Sequence, residues 1–184
     1  MKTVSILGST GSVGQSTVDL IAAHPDRFRV VALTAQKNVA LLAEQARKLN
    51  AAYAVIGDES LYEDLKAALA GTDTVVAAGA DAIVDAARKP ARWIMAAIVG
   101  IAGLRPTLAA IEQGGVVALA NKESLVCAGG IMMGAVARHG ATLLPVDSEH
   151  NAVFQVFDSK QRANIRRIIL TASGGPFRDR PLKT

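Results

Sequence analysis

A lone cysteine, Cys127, leaves this 184-residue chain no partner for an internal disulfide. That excludes the small disulfide-stapled secreted folds and fits a reducing, cytoplasmic compartment. Aromatic residues are scarce, at 4% of the chain, which excludes the stacked ladders of single-strand nucleic-acid binders. The core must instead come from Ala, Val, Leu and Ile, as in parallel sheets covered on both faces. Long apolar runs are missing as well. Gly, Arg, Glu or Pro interrupts each one well before the ~20 residues that a membrane span needs. The opening MKTVSILGSTGSVG has one lysine and an apolar run that meets glycine at once, so no signal peptide is expected. What is present is a globular balance, 51% hydrophobic and 20% charged, with length enough for a sizeable core. The formal charge of +4 is scattered, apart from Arg162, Arg166 and Arg167. It reads as a solvated basic surface that suits phosphorylated small molecules, with neither nucleic acid nor membrane as a partner.

Strand-like and helix-like segments alternate. TVSIL (3–7), FRVVALTA (28–35), AYAVIG (52–57), DTVVAAG (73–79), RWIMAAIVG (92–100), GVVALA (115–120), ATLLPV (141–146) and IRRIILTA (165–172) read as strands. Helices are expected over 12–23, 38–50, from the third strand through Leu69, over 104–113 and over 121–140, the last softened by Gly129 and Gly130. This spacing implies βαβ units in a Rossmann-like, doubly wound α/β fold with a parallel sheet. Composition shifts near residue 145, from repetitive α/β to clustered polar residues and a Gly-Pro turn. A domain boundary is expected there, between 1–145 and 146–184.

LGSTGSVGQST follows the first strand and opens the first helix. Gly8, Gly11 and Gly14 give G-x-x-G-x-x-G. A tight turn needs a residue that tolerates positive φ, a phosphate must be reached without a Cβ in the way, and the helix must pack close to the strand. The helix N-terminus offers free N–H groups and a positive dipole end to a pyrophosphate. Thr10 and Ser12 add hydroxyl donors. The place, at the head of a βαβ unit, is the one a dinucleotide fingerprint demands. The alternative is a structural glycine turn. The end of the second strand then selects the dinucleotide. An NAD site places Asp or Glu there for the ribose 2′-OH. Here the chain reads Thr34-Ala35-Gln36-Lys37-Asn38, with no acid and one lysine. Lys37 would attract a 2′-phosphate, so NADP is preferred over NAD, unless Lys37 is an ordinary surface lysine.

Two later strand ends carry chemistry, where open α/β sheets bind ligands. After GVVALA comes Asn121-Lys122-Glu123-Ser124. Asn121 could simply cap the next helix. In a site, Lys122 could hold a substrate phosphate or hydroxyl, and Asn121 and Glu123 could orient cofactor ribose or carboxamide. After ATLLPV comes Asp147-Ser148-Glu149-His150. In an extended segment Asp147 and Glu149 project to one side, so two hard oxygen donors converge on a cation such as Mg²⁺ or Mn²⁺. His150 then points away and takes a substrate or supporting role. The competing reading is a solvated acidic turn that caps a helix around 151–157. TASGGPFRD (171–179) ends a strand in Ser173-Gly174-Gly175-Pro176, which can cradle a phosphate, hinge a lid or simply turn. Tyr62 and Lys66 have the Y-x-x-x-K spacing of short-chain dehydrogenases but lie too early in the chain, and read as a surface pair.

ILGSTGSVGQSTVDLI, VVALTAQKNV, ALANKESLV, PVDSEHNAVFQ and LTASGGPFRD occur in an order that resembles the 1-deoxy-D-xylulose 5-phosphate reductoisomerase family, across essentially the whole chain. The resemblance implies an NADPH- and divalent-metal-dependent enzyme of non-mevalonate isoprenoid biosynthesis, with Mg²⁺, Mn²⁺ or Co²⁺. Its substrate would be a small phosphorylated sugar and its full-length form a homodimer. It matches Thr10, Gly11, Ser12 and Val13 to the cofactor-phosphate loop, and Lys37 and Asn38 to the 2′-phosphate end. Gln36 stands where the family often has glycine. Asn121 and Glu123 match cofactor positions, Lys122, Ser148, Glu149 and Ser173 substrate positions, and Asp147 and Glu149 two of three metal carboxylates. The Gly-Gly-Pro-Phe segment matches the root of a lid. Family members are much longer, and their third metal carboxylate and most of the lid lie past residue 184. Residues 1–145 are then an NADPH-binding domain and 146–184 the incomplete start of a catalytic one, and the piece alone is expected to be inactive. Two other functions compete. One is a binding-only NADP module, which needs the glycine loop and Lys37 but not Asp147 and Glu149. The other is a semialdehyde dehydrogenase, disfavoured because Cys127 lies in the apolar run Leu125-Val126-Cys127-Ala128.

Overall fold

The computed structural model describes residues 1–171 and residue 179. Among these, seven strands form one parallel sheet: β1 (Lys2–Leu7), β2 (Phe28–Ala35), β3 (Tyr53–Ile56), β4 (Val75–Ala78), β5 (Trp93–Ala96), β6 (Val116–Leu119) and β7 (Thr142–Pro145). The helices are α1 (Ser12–Ala22), α2 (Val39–Leu49), α3 (Tyr62–Ala68), α4 (Ala80–Ala87), α5 (Leu104–Glu112), α6 (Lys122–His139) and α7 (Ser148–Val156). Strand order is β4-β3-β2-β1-β5-β6-β7. The chain winds outward from β1 to β4, then crosses back to lay β5 on the other side of β1. Leu7, at the end of β1, is in register with Thr34 of β2 and Ala96 of β5. The switch point of the sheet, where doubly wound folds open a crevice, falls there.

Side-chain alternation sorts the core into two layers. Ile6 packs with Leu33, Leu42, Ile56 and Leu65, whereas Leu7 joins Ile94, Ile111, Val117 and Met132 on the opposite face. Covered on both sides, β2 is buried from Val30 to Ala35. Each fully buried Leu or Ile contributes about 1.5–3 kcal/mol. The shortage of aromatics shows in how the helices approach: Ala43, Ala46, Ala86, Ala87, Ala109 and Ala110 are all buried. Small side chains bring helix backbones close to the sheet.

Several expectations need correction. The run 80–87, assigned no element from the sequence, forms α4, which buries Ile83, Val84, Ala86 and Ala87. Gly79, at φ +99, makes the sharp entry from β4. β5 stops at Ala96 rather than running to 100, because its ladder partners end there, β1 at Leu7 and β6 at Leu119; Gly100, at φ +67, then turns the chain. In α6 the break falls on Ala128 (φ −140, ψ 27), just before Gly129 and Gly130. The expected strand 165–172 is not seen in its described part: residues 165–171 have no regular structure, and Ile168, Ile169 and Leu170 are exposed. A strand exists only with a ladder partner, and among the described residues none pairs with this run. By its contacts the chain falls into two compact units, Met1–Leu144 and Pro145–Thr184. No helix among the described residues is long and apolar enough to cross a membrane.

Candidate functional site

In the first unit, Gly8–Gly11 make the turn between β1 and α1. Gly8 has φ +87, and a Cβ there would lie 2.8 Å from the Ala97 carbonyl oxygen. The Gly8 N–H donates to Thr34 Oγ1 at 2.9 Å, and the Ser9 N–H to the Thr34 carbonyl at 2.8 Å. The buried Gln45 amide, on α2, donates to the Ser9 carbonyl at 3.1 Å. The turn is therefore held from behind by β2 and α2. Gly14 packs against it, and a Cβ there would fall 2.6 Å from Ser9 Cα.

Gly11 differs from both. It is the N-cap of α1, in extended conformation, and makes no side-chain cap. A Cβ at Gly11 would meet only Gly8 O, at an ordinary 3.5 Å. Nothing in the protein therefore requires glycine here. Its bare hydrogen keeps the front of the turn open. The first turn of α1 holds no acid, so the N–H groups that lack intrahelical partners and the positive dipole end have no carboxylate competing for them. Ser12 is exposed in this turn, Thr10 and Val13 half-buried.

Beyond β2, Asn38 caps α2, its Oδ1 accepting from the Leu41 N–H at 3.1 Å. The exposed Lys37 ammonium lies 3.8 Å from Asp58 Oδ2. Asp58 follows β3 and belongs to no catalytic motif; its only sequence signal is the D-x-S cap it makes. Its Oδ1 accepts from the Ser60 hydroxyl at 2.6 Å and the Ser60 N–H at 3.1 Å. The Ser60 hydrogen bonds, and to a lesser degree the Lys37 charge, hold the Asp58 carboxyl below its ordinary pKa. Gln36 lies over Gly57, where a Cβ would come 2.8 Å from the Gln36 Cδ. Between these turns and α4 and α5 opens a cleft of about 260 Å³, lined among others by Gln36, Gly57, Ile83, Val84, Ile98 and Arg105. A larger cavity of about 560 Å³, around Arg47, Asn50 and Asp73, lies at the amino ends of β3 and β4. Open α/β sheets bind their ligands at the other edge.

Asn121 is buried and its side chain is committed. Oδ1 accepts from the Ser124 N–H at 3.1 Å, and Nδ2 donates to the carbonyls of Ile98 at 2.6 Å and Gly100 at 2.8 Å. The cap reading of Asn121 holds, and the side chain also ties down the turn after β5. Lys122 and Glu123 are exposed in the first turn of α6.

In the second unit the geometry assumed for Asp147 and Glu149 is corrected. Only Asp147 is extended; it is the N-cap of α7, with Glu149 already in the first helical turn. Strand alternation therefore does not set their directions. Nor does His150 point away. Asp147 Oδ1 accepts from the His150 N–H at 3.1 Å, and the His150 ring Nδ1 lies 2.6 Å from the same oxygen. The Asp147 side chain is 14% exposed against 56% for His150. Ser148 is exposed and Glu149 half-buried. Among the described residues no group of three or more His, Cys, Asp or Glu is placed to hold a metal ion. Ser173 and the Gly174–Phe177 segment lie outside the described residues.

By fold, and by the turn that opens it, this is a Rossmann-like α/β protein of the dinucleotide-binding class. A family model described as 1-deoxy-D-xylulose 5-phosphate reductoisomerase matches residues 4–129, and one described as the C-terminal domain of that enzyme matches residues 143–184. The chain belongs to the 1-deoxy-D-xylulose 5-phosphate reductoisomerase family. It is 63% identical to the reductoisomerase of Rhodospirillum centenum over 178 residues, which is 97% of this chain but 44% of the relative. Identity to the Zymomonas mobilis reductoisomerase is also 63%, over 96% of this chain and 46% of that one. A solved structure of the reductoisomerase from Zymomonas mobilis in complex with NADPH superposes with a TM-score of 0.92, at 62% identity, covering 97% of this chain and 47% of that one. Another, in complex with magnesium, gives 0.89 at 38% identity, covering 98% and 48%. The chain thus spans less than half the length of the relatives it matches.

Proposed function

We propose that this chain supplies the NADPH-binding part, and the first metal- and substrate-binding residues, of an enzyme that isomerises and reduces 1-deoxy-D-xylulose 5-phosphate to 2-C-methyl-D-erythritol 4-phosphate. The observation that carries the reading is the front of the glycine turn: Gly11, which packing does not require to be glycine, leaves it open, ahead of a helix N-terminus left without a side-chain cap or an acid. That arrangement fits a pyrophosphate. In this reading Thr10, Gly11, Ser12 and Val13 hold the cofactor phosphates. Lys37 and Asn38 meet the 2′-phosphate, and the cleft beside Gln36 and Ile98 takes the adenine. The main chain at Asn121, and Glu123, lie toward the nicotinamide end.

Asp147 and Glu149 offer hard oxygen donors that suit Mg²⁺ or Mn²⁺, which keep waters and substrate oxygens as further ligands. When bound, the metal supplies Lewis-acid polarisation of substrate oxygens, and NADPH supplies the hydride. The residues of this chain do the positioning. Lys122, Ser148 and Ser173 bind the substrate's phosphate and hydroxyl groups, Glu149 serves both metal and substrate, and His150 orients the Asp147 carboxylate through their hydrogen bond. Alignment of donor and acceptor is the protein's main contribution to the reductive step. Residues 1–145 form the cofactor domain and 146–184 begin the catalytic one. The whole protein is a homodimer of the cytoplasm, acting in isoprenoid biosynthesis; the single cysteine supports that compartment.

The test is NADPH oxidation by the full-length protein with 1-deoxy-D-xylulose 5-phosphate and Mg²⁺ or Mn²⁺. Turnover that needs both NADPH and the metal is the expected result. Metal-independent turnover would remove the assignment of Asp147 and Glu149, and binding of NADPH without any turnover would favour the binding-only module.

A further inference from the structure

We infer that Asp58 is a specificity-determining residue of the cofactor site, one that restrains the preference for a 2′-phosphorylated dinucleotide which Lys37 creates. The inference rests on the reading of Lys37 as the 2′-phosphate partner. The end of β2 lacks the acid of an NAD site, but the end of the neighbouring strand supplies one, 3.8 Å from the Lys37 ammonium. That carboxylate is not free to retreat. Ser60 holds one of its oxygens through both its hydroxyl and its N–H. The two strand ends are also tied together, the Gly57 N–H donating to the Ala35 carbonyl at 2.8 Å and the Asp58 N–H to the Gln36 carbonyl at 2.9 Å. A dianionic phosphate that reaches Lys37 therefore meets a fixed negative charge on the far side of the same ammonium.

Two effects oppose each other. Asp58 preorganises Lys37, but at 3.8 Å and with Lys37 73% exposed this is a loose surface pair with little hold on the side chain. Repulsion between a carboxylate and a dianion within one Debye length is the larger effect, on the order of three- to tenfold in affinity at an exposed site. Repulsion wins, so Asp58 lowers the affinity for NADPH and leaves that for NADH alone.

The experiment measures dissociation constants of NADPH and NADH for the full-length protein and its Asp58→Asn, Ser60→Ala and Lys37→Met variants. Asn at 58 keeps an oxygen for the Ser60 N–H, so the turn survives. Asp58→Asn is expected to bind NADPH about three- to tenfold more tightly with NADH unchanged. Ser60→Ala, which loosens the carboxylate, moves NADPH the same way by less. Weaker NADPH binding in Asp58→Asn, or parallel shifts for the two dinucleotides, overturns the inference. If Lys37→Met selectively weakens NADPH while Asp58→Asn changes nothing, only the role of Asp58 falls. If Lys37→Met leaves the NADPH-to-NADH ratio intact, the Lys37 reading falls and takes Asp58 with it.

Discussion

Among the places where the chain passes from the carboxyl end of a strand into a helix, the first and the last described finish the helix end with opposite chemistry. From β1 into α1 the cap is Gly11, which brings no side chain, and the first turn has no acid. From β7 into α7 the cap is Asp147, whose carboxylate accepts from the His150 N–H, and Glu149 follows in the first turn. Both helices present the same unpaired N–H groups and the same positive dipole end. The first leaves them to an incoming anion. The second answers them from within, through the Asp147 carboxylate. In the function proposed above, the sign of each ligand follows from the cap residue rather than from the fold around it.

The contrast can be broken from either side. The largest effect is expected from removing charge at α7. Asp147→Asn with Glu149→Gln in the full-length protein keeps a capping oxygen at 147 while discharging both groups. Metal-dependent NADPH oxidation should fall by on the order of a hundred- to thousandfold, with the far-ultraviolet circular dichroism unchanged. Retained activity would mean that the acids only cap the helix. Next comes Gly14→Val, which pushes α1 off Ser9. A urea titration should show a loss of about 2–3 kcal/mol, together with weak cofactor binding. A midpoint equal to the wild type's would show that the close packing of α1 is dispensable. Gly11→Asp is the sharper test, because it gives α1 the cap of α7 at a position with room for a side chain. Stability should rise by a few tenths of a kcal/mol while NADPH affinity falls about tenfold or more. If both rise together, α1 does not bind an anion.

The smallest effect concerns pH. Because the Ser60 hydrogen bonds keep the Asp58 carboxyl below its ordinary pKa, its contribution to stability is present above the unfolded pKa. It is lost as pH falls through the folded one, below about pH 4. Asp58→Asn should remove that small acid-side loss, seen as a slightly reduced difference between denaturation midpoints at acid and neutral pH. An unchanged difference would mean that the Ser60 bonds persist in the unfolded chain or do not matter.

Local features were legible in the sequence because they are set by neighbours along the chain. The range of β2 follows directly from FRVVALTA, which is apolar enough to be buried on both faces. Gly8, Gly11 and Gly14 could be placed in one turn because strand, turn and helix are contiguous. α4 escaped notice because it is short, eight residues directly after β4, although Asp81 and Asp85 at i, i+4 opposite Ile83, Val84 and Ala87 give it a readable face. The run at 165–172 misled for the opposite reason: β-branched residues give a strand its propensity, but pairing gives it existence. Past Asp147 the extended segment was carried two residues too far, through Ser148 and Glu149, although an acid followed by Glu in the first turn is itself a helix-start signal. Asp58, Gln45 and Thr34 were out of reach, since each meets the site from a different element and no spacing along the chain announces it.

The commitment of Asn121 has a mechanical consequence. One amide group grips two carbonyls of the turn after β5 and the Ser124 N–H in the first turn of α6 at once. It works as a rivet between two loops that leave neighbouring strands. A load placed on the Ile98–Gly100 turn is carried into the segment bearing Lys122 and Glu123, and a pull on those residues is felt back at the turn. The two halves of the crevice rim therefore stiffen or slacken together.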